Sequence, residues 1–364
     1  MDERFTPIEI ETTPRQIPET HKGEMYADSE LGRMIDAQEE SSGQRAALFT
    51  DIDDTFYLPG DKEASFDLFN EARALNYPVI PATGNQIQVV TVRIANRDLP
   101  LFQAICSSVG SQIWVLKTTK NGESQYLQDM KYREKVLATG FNRKNVVTEA
   151  KKEIEETAVR KPDLQLSFQW TKEEENFLNG EPYLENQEFK VSLQFQCDFE
   201  EMAIIKRRFE SIFPKYKVSV CQISKKDGEN TSLFYMDILA ADKADAINYL
   251  CDELSIDTGI VAGDSGNDIA MLSETDPKLT SVLVGSHKPE ALEKITEITS
   301  APEVTGKGSI KRVPVADETK LFYIERKALK GPHSLRRAAA ILRRGVNIAR
   351  IKQENLNSET EDRT

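Results

Sequence analysis

The chain has 364 residues, 60 acidic against 47 basic, with a net charge of −13; 39% of the residues are apolar and 29% charged. That length suits two or three domains of ~100–200 residues, the acidic balance argues against a nucleic-acid coat protein, and no apolar run nears the ~20 residues that span a bilayer. Four scattered cysteines without a CxxC pair, and only three histidines, argue against a disulfide framework and against Cys- or His-rich metal sites. The first residues, Met1 to Phe5, lack a basic segment followed by an apolar one, so a cytoplasmic setting is expected.

In chain order, residues 1–43 are polar and contain Pro7, Pro14 and Pro18; they read as a flexible arm with a short helix from Ser29 to Glu40, capped by Asp28 or Ser29. Ala46 to Thr50 is a short apolar run followed at once by acidic residues, the mark of a buried parallel strand. A helix from Ala64 to Leu75, a strand from Tyr77 to Ala82 and a helix from Gln86 to Ala95 follow. This alternation predicts an α/β fold: a Rossmann-like parallel sheet flanked by helices. The middle reads α-β-β-α-β-β: helices over 142–159 and 200–213, and strands over 164–170, 189–197, 217–223 and 233–239. It predicts an inserted α+β cap domain over 115–238, dividing a core of 44–114 and 239–314. The parallel pattern resumes with a helix from Lys243 to Leu254, a strand from Thr258 to Ala262, a helix from Asp268 to Ser273 and a strand from Ser281 to Val284. An extension, 315–364, holds a basic amphipathic helix over about 333–352, with Leu335, Ala339, Leu342, Val346 and Ala349 on one stripe and five arginines between. It is read as docked on the core; weak contact with a membrane or an acidic partner is the alternative.

Asp51 and Asp53 stand at i and i+2 past a buried strand, so in extended chain they share a face at the end where open α/β sheets bind ligands. One carboxylate there can attack phosphorus and the other handle a proton, although such a pair also occurs in turns and calcium loops. Gly263-Asp264-Ser265-Gly266-Asn267-Asp268 follows a second strand; its glycines allow a tight turn, and Asp264 and Asp268 are hard oxygen ligands suited to Mg²⁺. The fragment also resembles serine proteases, but no matching histidine and aspartate accompany it. Thr83-Gly84-Asn85 offers a hydroxyl and amides at a helix N-terminus, a phosphate cradle, and Lys243 opens a helix with a fixed positive charge.

Together, Asp51-x-Asp53-x-Thr55, Thr83, Lys243 and Gly263-Asp264-x-x-x-Asp268 resemble the four motifs of the haloacid dehalogenase-like phosphatase superfamily. The insertion resembles the cap of its Cof-like branch. Three segments are similar to sucrose-phosphate phosphatases: Gln187 to Ser192, Gly140 to Arg143 and Ser108 to Ile113. Two positions depart from the pattern: Asn85 stands where many relatives carry Arg, and Ser286-His287 where an Asn-Ala pair is frequent.

The resemblance implies a phosphoric monoester hydrolase acting on a sugar phosphate, with no nucleic-acid partner. Asp51 would be the nucleophile, Asp53 the acid and base, and Thr83 and Lys243 the other catalytic groups. Mg²⁺ would be held by Asp51, the Asp53 carbonyl, Asp264 and Asp268. Thr55, Gly84, Asn85, Ser265 and Asn267 would bind the phosphate, and Gln187, Glu188, Lys190 and Ser192 the sugar. A phosphatase for another polyol or disaccharide phosphate, a phosphomutase, and a non-catalytic regulatory protein on the same scaffold are the alternatives.

Overall fold

The computed structural model describes residues 24–118, 122–160, 167–170, 188–225, 232–285, 287–299, 309–315, 318–325 and 330–340. The strands among them are β1 (Ala46–Thr50), β2 (Val79–Pro81), β3 (Ala104–Ser107), β4 (Gln112–Thr118), β5 (Ser124–Gln128), β6 (Ser167–Trp170), β7 (Lys190–Cys197), β8 (Lys217–Lys225), β9 (Ser232–Leu239), β10 (Thr258–Gly263), β11 (Leu279–Leu283), β12 (Ser309–Val315) and β13 (Glu318–Ile324).

A six-stranded sheet in the order β12-β13-β11-β10-β1-β2 forms the base, parallel throughout except at β12. Every residue of β1 is buried, because both faces of a parallel sheet carry helices. Alternate residues feed opposite cores. Ala47 and Phe49 pack with Ile247 and Leu250, whereas Leu48 packs with Leu68, Phe69 and Val90. The covering helices start with side-chain caps: Asp61 accepts from Ala64 N ahead of Lys62–Ala74, and Asp242 from Asp245 N ahead of Lys243–Glu253.

A four-stranded antiparallel sheet, β6-β7-β9-β8, lies apart from this base. Its strands alternate. Val191, Leu193, Phe195, Phe234, Met236 and Ile238 point one way, onto Val146, Val147 and Ala150 of helix Arg143–Arg160 and Met202, Ile205 and Phe209 of helix Phe199–Ile212. These residues form a core of their own.

Three expectations of domain layout are corrected. First, the division at 114/115 falls inside β4. Ile113 and Val115 lie in one core cluster of the base and Trp114 and Leu116 in the other, so the sheet β3-β4-β5 belongs to the base. Second, the end at 314 falls inside β12; β13 beyond it pairs with β11 and buries Phe322, Tyr323 and Ile324. Third, residues 24–43 are no free arm. Helices Glu24–Ala27 and Glu30–Ser42 dock through Tyr26, Leu31, Met34 and Ile35, and the Tyr26 hydroxyl donates to the buried Asp129. Ser29 caps the second helix through Gly32 N.

Of the basic C-terminal helix, residues 331–340 are described. Leu335 and Ala338 are buried, Arg336 donates twice to Glu71, and Arg337 pairs with Glu325; the rest of the expected helix lies outside the described residues. No described helix is long and apolar enough to cross a membrane.

Candidate active site

The C-terminal ends of β1, β2 and β10 lie side by side, and the loops that leave them carry the acidic residues. Thr50 pairs with Ala262 and with Pro81, so Asp51 emerges between the Thr83 loop and the Asp264 loop. The Lys243 ammonium, fully buried, donates to Asp51 Oδ1 at 2.7 Å and to Asp268 Oδ1 at 2.6 Å. Asp268 Oδ2 in turn accepts from the amides of Asp264 (3.0 Å) and Ser265 (3.1 Å), so both Asp268 oxygens hold the loop and the lysine in place. Thr55 Oγ1 donates to Asp264 Oδ1 at 2.9 Å.

Electrostatics follow from this crowding. Burial pushes the Asp51 carboxyl up to about 7, against the pull of Lys243 and with Asp268 adding to the rise. Burial, then repulsion from Asp268 and Asp51, pushes Asp264 up to about 9. Burial opposes the charge on Lys243, but Asp268 and Asp51 outweigh it and hold the ammonium above its ordinary range. The cluster thus carries an excess of buried negative charge. Asp51, Asp264 and Asp268 each offer an oxygen within 4.8 Å of the others. Among the described residues Asp51 Oδ2 and Asp264 Oδ2 carry no hydrogen bond. Hard oxygens, two of them open, in an acidic pocket suit a cation of the Mg²⁺ type.

Asp53 stands at the exposed rim, 56% exposed. Asn85 Nδ2 donates to its Oδ2 at 3.1 Å and Arg93 Nη1 to its Oδ1 at 2.9 Å. Asp54, with φ of 59°, turns the other way and pairs with Lys288 at 3.3 Å. Thr83 is buried, and its Oγ1 accepts from Asn85 N at 3.1 Å. This loop is fixed from behind. Ser108 N donates to Asn85 O and Val109 N to Thr83 O, each at 2.9 Å, with Ser108 and Val109 both at positive φ. For β-branched Val109 that conformation costs of order 1–3 kcal/mol, the kind of strain that collects at ligand sites. Gly110 follows, and a methyl there would stand 2.3 Å from the Asp242 carbonyl oxygen, so only glycine lets this turn back the start of the Lys243 helix.

The polar face of the four-stranded sheet is turned toward these loops. Gly266 approaches so closely that a methyl on it would stand 2.4 Å from Val220 O. On that face Cys221 lies against Ser265, and burial pushes its thiol up to about 12. Farther along, Lys190 pairs with Asp237 at 3.4 Å, Ser192 donates to Asp237, and Gln194 Nε2 donates to Tyr235 OH at 2.6 Å.

Of the residues picked from sequence, the structure gathers Asp51, Thr55, Lys243, Asp264, Ser265, Asn267 and Asp268 in one place, with Asp53, Thr83, Gly84 and Asn85 beside them. Ser265 Oγ donates to Asn267 Oδ1 at 2.6 Å, and a methyl on Gly84 would stand 3.6 Å from Asn267 Nδ2. Lys190 and Ser192 share one face of β7. Glu188 does not join them. It sits in the turn before the strand and pairs with Arg133 at 2.7 Å, because the ladder begins only at Lys190. Gln187 and Ser286 lie outside the described residues. Sequence reasoning missed Arg93 and Lys288. Arg93 had a signal, since it lies two helical turns past Asn85 on the helix that opens at the Thr83 loop.

A family model of haloacid dehalogenase-like hydrolases matches residues 48–306. A search of curated proteins finds no match. Among solved structures, the chain is similar to the sucrose-phosphatase of Synechocystis sp. PCC6803 in complex with sucrose and phosphate: 18% identity, 82% of this chain and 97% of that one covered, and a TM-score of 0.53. It is also similar to a protein of Streptococcus mutans UA159 (16% identity, 68% and 90% covered, TM-score 0.44). A HAD subclass IIB sugar phosphatase matches at 14% identity, with 68% and 91% covered and a TM-score of 0.39. At 18% identity the likeness to the sucrose-phosphatase is one of fold.

Proposed function

Because the chain belongs to the haloacid dehalogenase-like hydrolase family, we propose that it is a Mg²⁺-dependent phosphatase that cleaves a sugar-phosphate monoester of the sucrose-phosphate kind. The observation that carries the reading is the buried cluster of Asp51, Asp264 and Asp268 around the Lys243 ammonium, at the ends of parallel strands.

In this reading one carboxylate oxygen of Asp51 attacks phosphorus and the ester oxygen departs, leaving an aspartyl-phosphate; splitting hydrolysis into two displacements lowers each barrier. Asp53 gives its proton to the departing alkoxide, then takes one from the water that releases phosphate. Lys243, Thr83 and the amides of Gly84 and Asn267 hold phosphoryl oxygens, the Asn85 and Ser265 amides brace Thr83 and Asp268, and Thr55 holds Asp264. Asp51 and Asp264, with the Asp53 carbonyl and with Asp268 in support, would hold Mg²⁺, whose charge when bound keeps Asp51 ionised and offsets its repulsion with the phosphate.

The four-stranded sheet and its two helices act as the cap, spanning about 141–239 rather than 115–238. Its polar face, with Lys190, Ser192, Gln194, Tyr235 and Asp237, supplies donors and acceptors matched to sugar hydroxyls. The solved sucrose-phosphatase makes a disaccharide phosphate the first ester to try. A cytoplasmic location goes with this reading. The test is phosphate release across a panel of sugar phosphates, with Mg²⁺ and after exhaustive chelation. Release from a disaccharide phosphate that stops on chelation supports the reading. No release from any sugar phosphate would overturn it, and transfer of the phosphate to a second hydroxyl would make the protein a phosphomutase.

A further inference from the structure

We infer that Arg93 is the positioning residue for Asp53, an inference that rests on the proton-handling role given to Asp53 above. A carboxylate that is 56% exposed on a turn ordinarily samples several rotamers. Here both of its oxygens are fixed. Arg93 Nη1 donates to Oδ1 at 2.9 Å and Asn85 Nδ2 to Oδ2 at 3.1 Å, one donor in the last turn of helix Ile87–Ala95 and the other just ahead of its start.

The guanidinium is fixed in turn. Its carbon lies 4.7 Å from the centroid of the Tyr57 ring, and the side chain is only 19% exposed. Tyr57 belongs to the same turn as Asp53: the two residues form a backbone bridge, Tyr57 N donates to Ile52 O at 2.7 Å, and Asp54 N donates to Tyr57 O at 3.0 Å. Ring, guanidinium and carboxylate therefore close a loop in which the helix sets where the Asp53 side chain points. A planar, stacked guanidinium does this in a way a flexible ammonium does not. An ion pair so near solvent adds little to stability, whereas a misplacement of about 1 Å at a reacting group costs on the order of a hundredfold in rate.

The test is Arg93→Gln, with Arg93→Lys beside it, on a sugar phosphate and on p-nitrophenyl phosphate, whose leaving group departs without a proton donor. The expected result is a fall of about tenfold or more in the ratio of kcat on the sugar ester to kcat on p-nitrophenyl phosphate. Arg93→Lys should recover part of that ratio, and neither variant should shift the melting temperature by more than about 2 °C. An unchanged ratio overturns the inference. So does a rise in KM on both esters at constant kcat, which would make Arg93 a direct phosphate contact. Asp51→Asn and Asp53→Asn, assayed alongside, separate the two failures. If Asp51→Asn keeps activity, the phosphatase mechanism fails; if it is dead and Asp53→Asn loses the sugar ester while Arg93→Gln keeps the ratio, only the role of Arg93 fails.

Discussion

Replacing Asp264 by asparagine separates the energetics of the acidic cluster from its chemistry. The residue is 2% exposed, and burial together with Asp268 and Asp51 pushes its carboxyl from the ordinary 3.8 up to about 9. A group raised in the folded state favours folding below its unfolded value and loses that contribution as pH climbs through the folded one. The metal-free protein therefore loses stability from this group between about pH 4 and pH 9. Asparagine keeps the shape and the oxygen that accepts from Thr55 at 2.9 Å, and removes the charge. Replacing buried ionic groups by neutral ones of similar volume can gain about 1–4 kcal/mol, and Asp264, raised by burial and by two neighbouring carboxyls with no cation among the described residues bonded to it, is of that kind. With roughly 2–4 °C per kcal/mol for a chain of this class, metal-free Asp264→Asn should melt about 2–16 °C above metal-free wild type at pH 8, and the gap should narrow at pH 5.5. A cation at a hundred times its Kd stabilises by about 2.7 kcal/mol; Mg²⁺ should do so for the wild type and not for the variant, which should also lose turnover. Circular dichroism melts after chelation, repeated with Mg²⁺, measure both effects. A metal-free variant less stable than wild type at pH 8, or equal Mg²⁺ stabilisation of both proteins, would refute the argument.

Asp51→Asn should abolish phosphate release, by about a thousandfold or more, with an unchanged circular dichroism spectrum; wild-type kcat would remove Asp51 as nucleophile. Lys190→Ala should raise KM for a disaccharide phosphate by about tenfold or more, about 1.4 kcal/mol, with a smaller change for p-nitrophenyl phosphate; equal losses on both would move sugar recognition elsewhere in the cap. Tyr26→Ala should cost about 2–4 kcal/mol in denaturant unfolding, since it empties a buried site and strips a donor from buried Asp129. A loss under about 0.5 kcal/mol would restore the view of residues 24–43 as a loose arm.

The catalytic ends of the sheet were legible because their signals are local: a run such as Ala46 to Thr50, buried on both faces, followed at once by carboxylates. The helix of Lys243 and the strands β7 and β9 were legible for the same reason, by periodicity. What escaped depends on partners distant in sequence. Arg93 meets Asp53 across 40 residues and Lys288 meets Asp54 across 234, and neither pairing leaves a mark in its own neighbourhood. Successive apolar residues Ile113 to Leu116 identify β4 as a strand buried on both faces, yet they sat where the motif order suggested that the insertion begins. β12 was hidden by Lys311, Arg312 and Pro314, which an edge strand tolerates and a central one does not. The helix after Ser29 and its cap were legible, but the prolines before residue 20 hid its docking on the base, although Leu31, Met34, Ile35 and Gln38 already mark one face.

The pairing of β1 with β10 sets an order of events for a chain made from its N-terminus. Ala46 lies against Thr258 and Thr50 against Ala262, so the strand that presents Asp51 waits for some two hundred further residues before its central neighbour exists. At about 5–20 residues per second, that is roughly 10–40 seconds of synthesis. During it the antiparallel sheet between them can complete on its own, since β7, β8 and β9 are near neighbours along the chain. Until then β1, buried along its whole length in the finished fold, has one edge without its β10 partner, the kind of edge that invites mispairing. The same arrangement is a safeguard. A translation product that stops anywhere before Asp264 lacks two of the three carboxylates of the acidic cluster, Asp264 and Asp268, and so would have neither the proposed cation site nor the proposed activity.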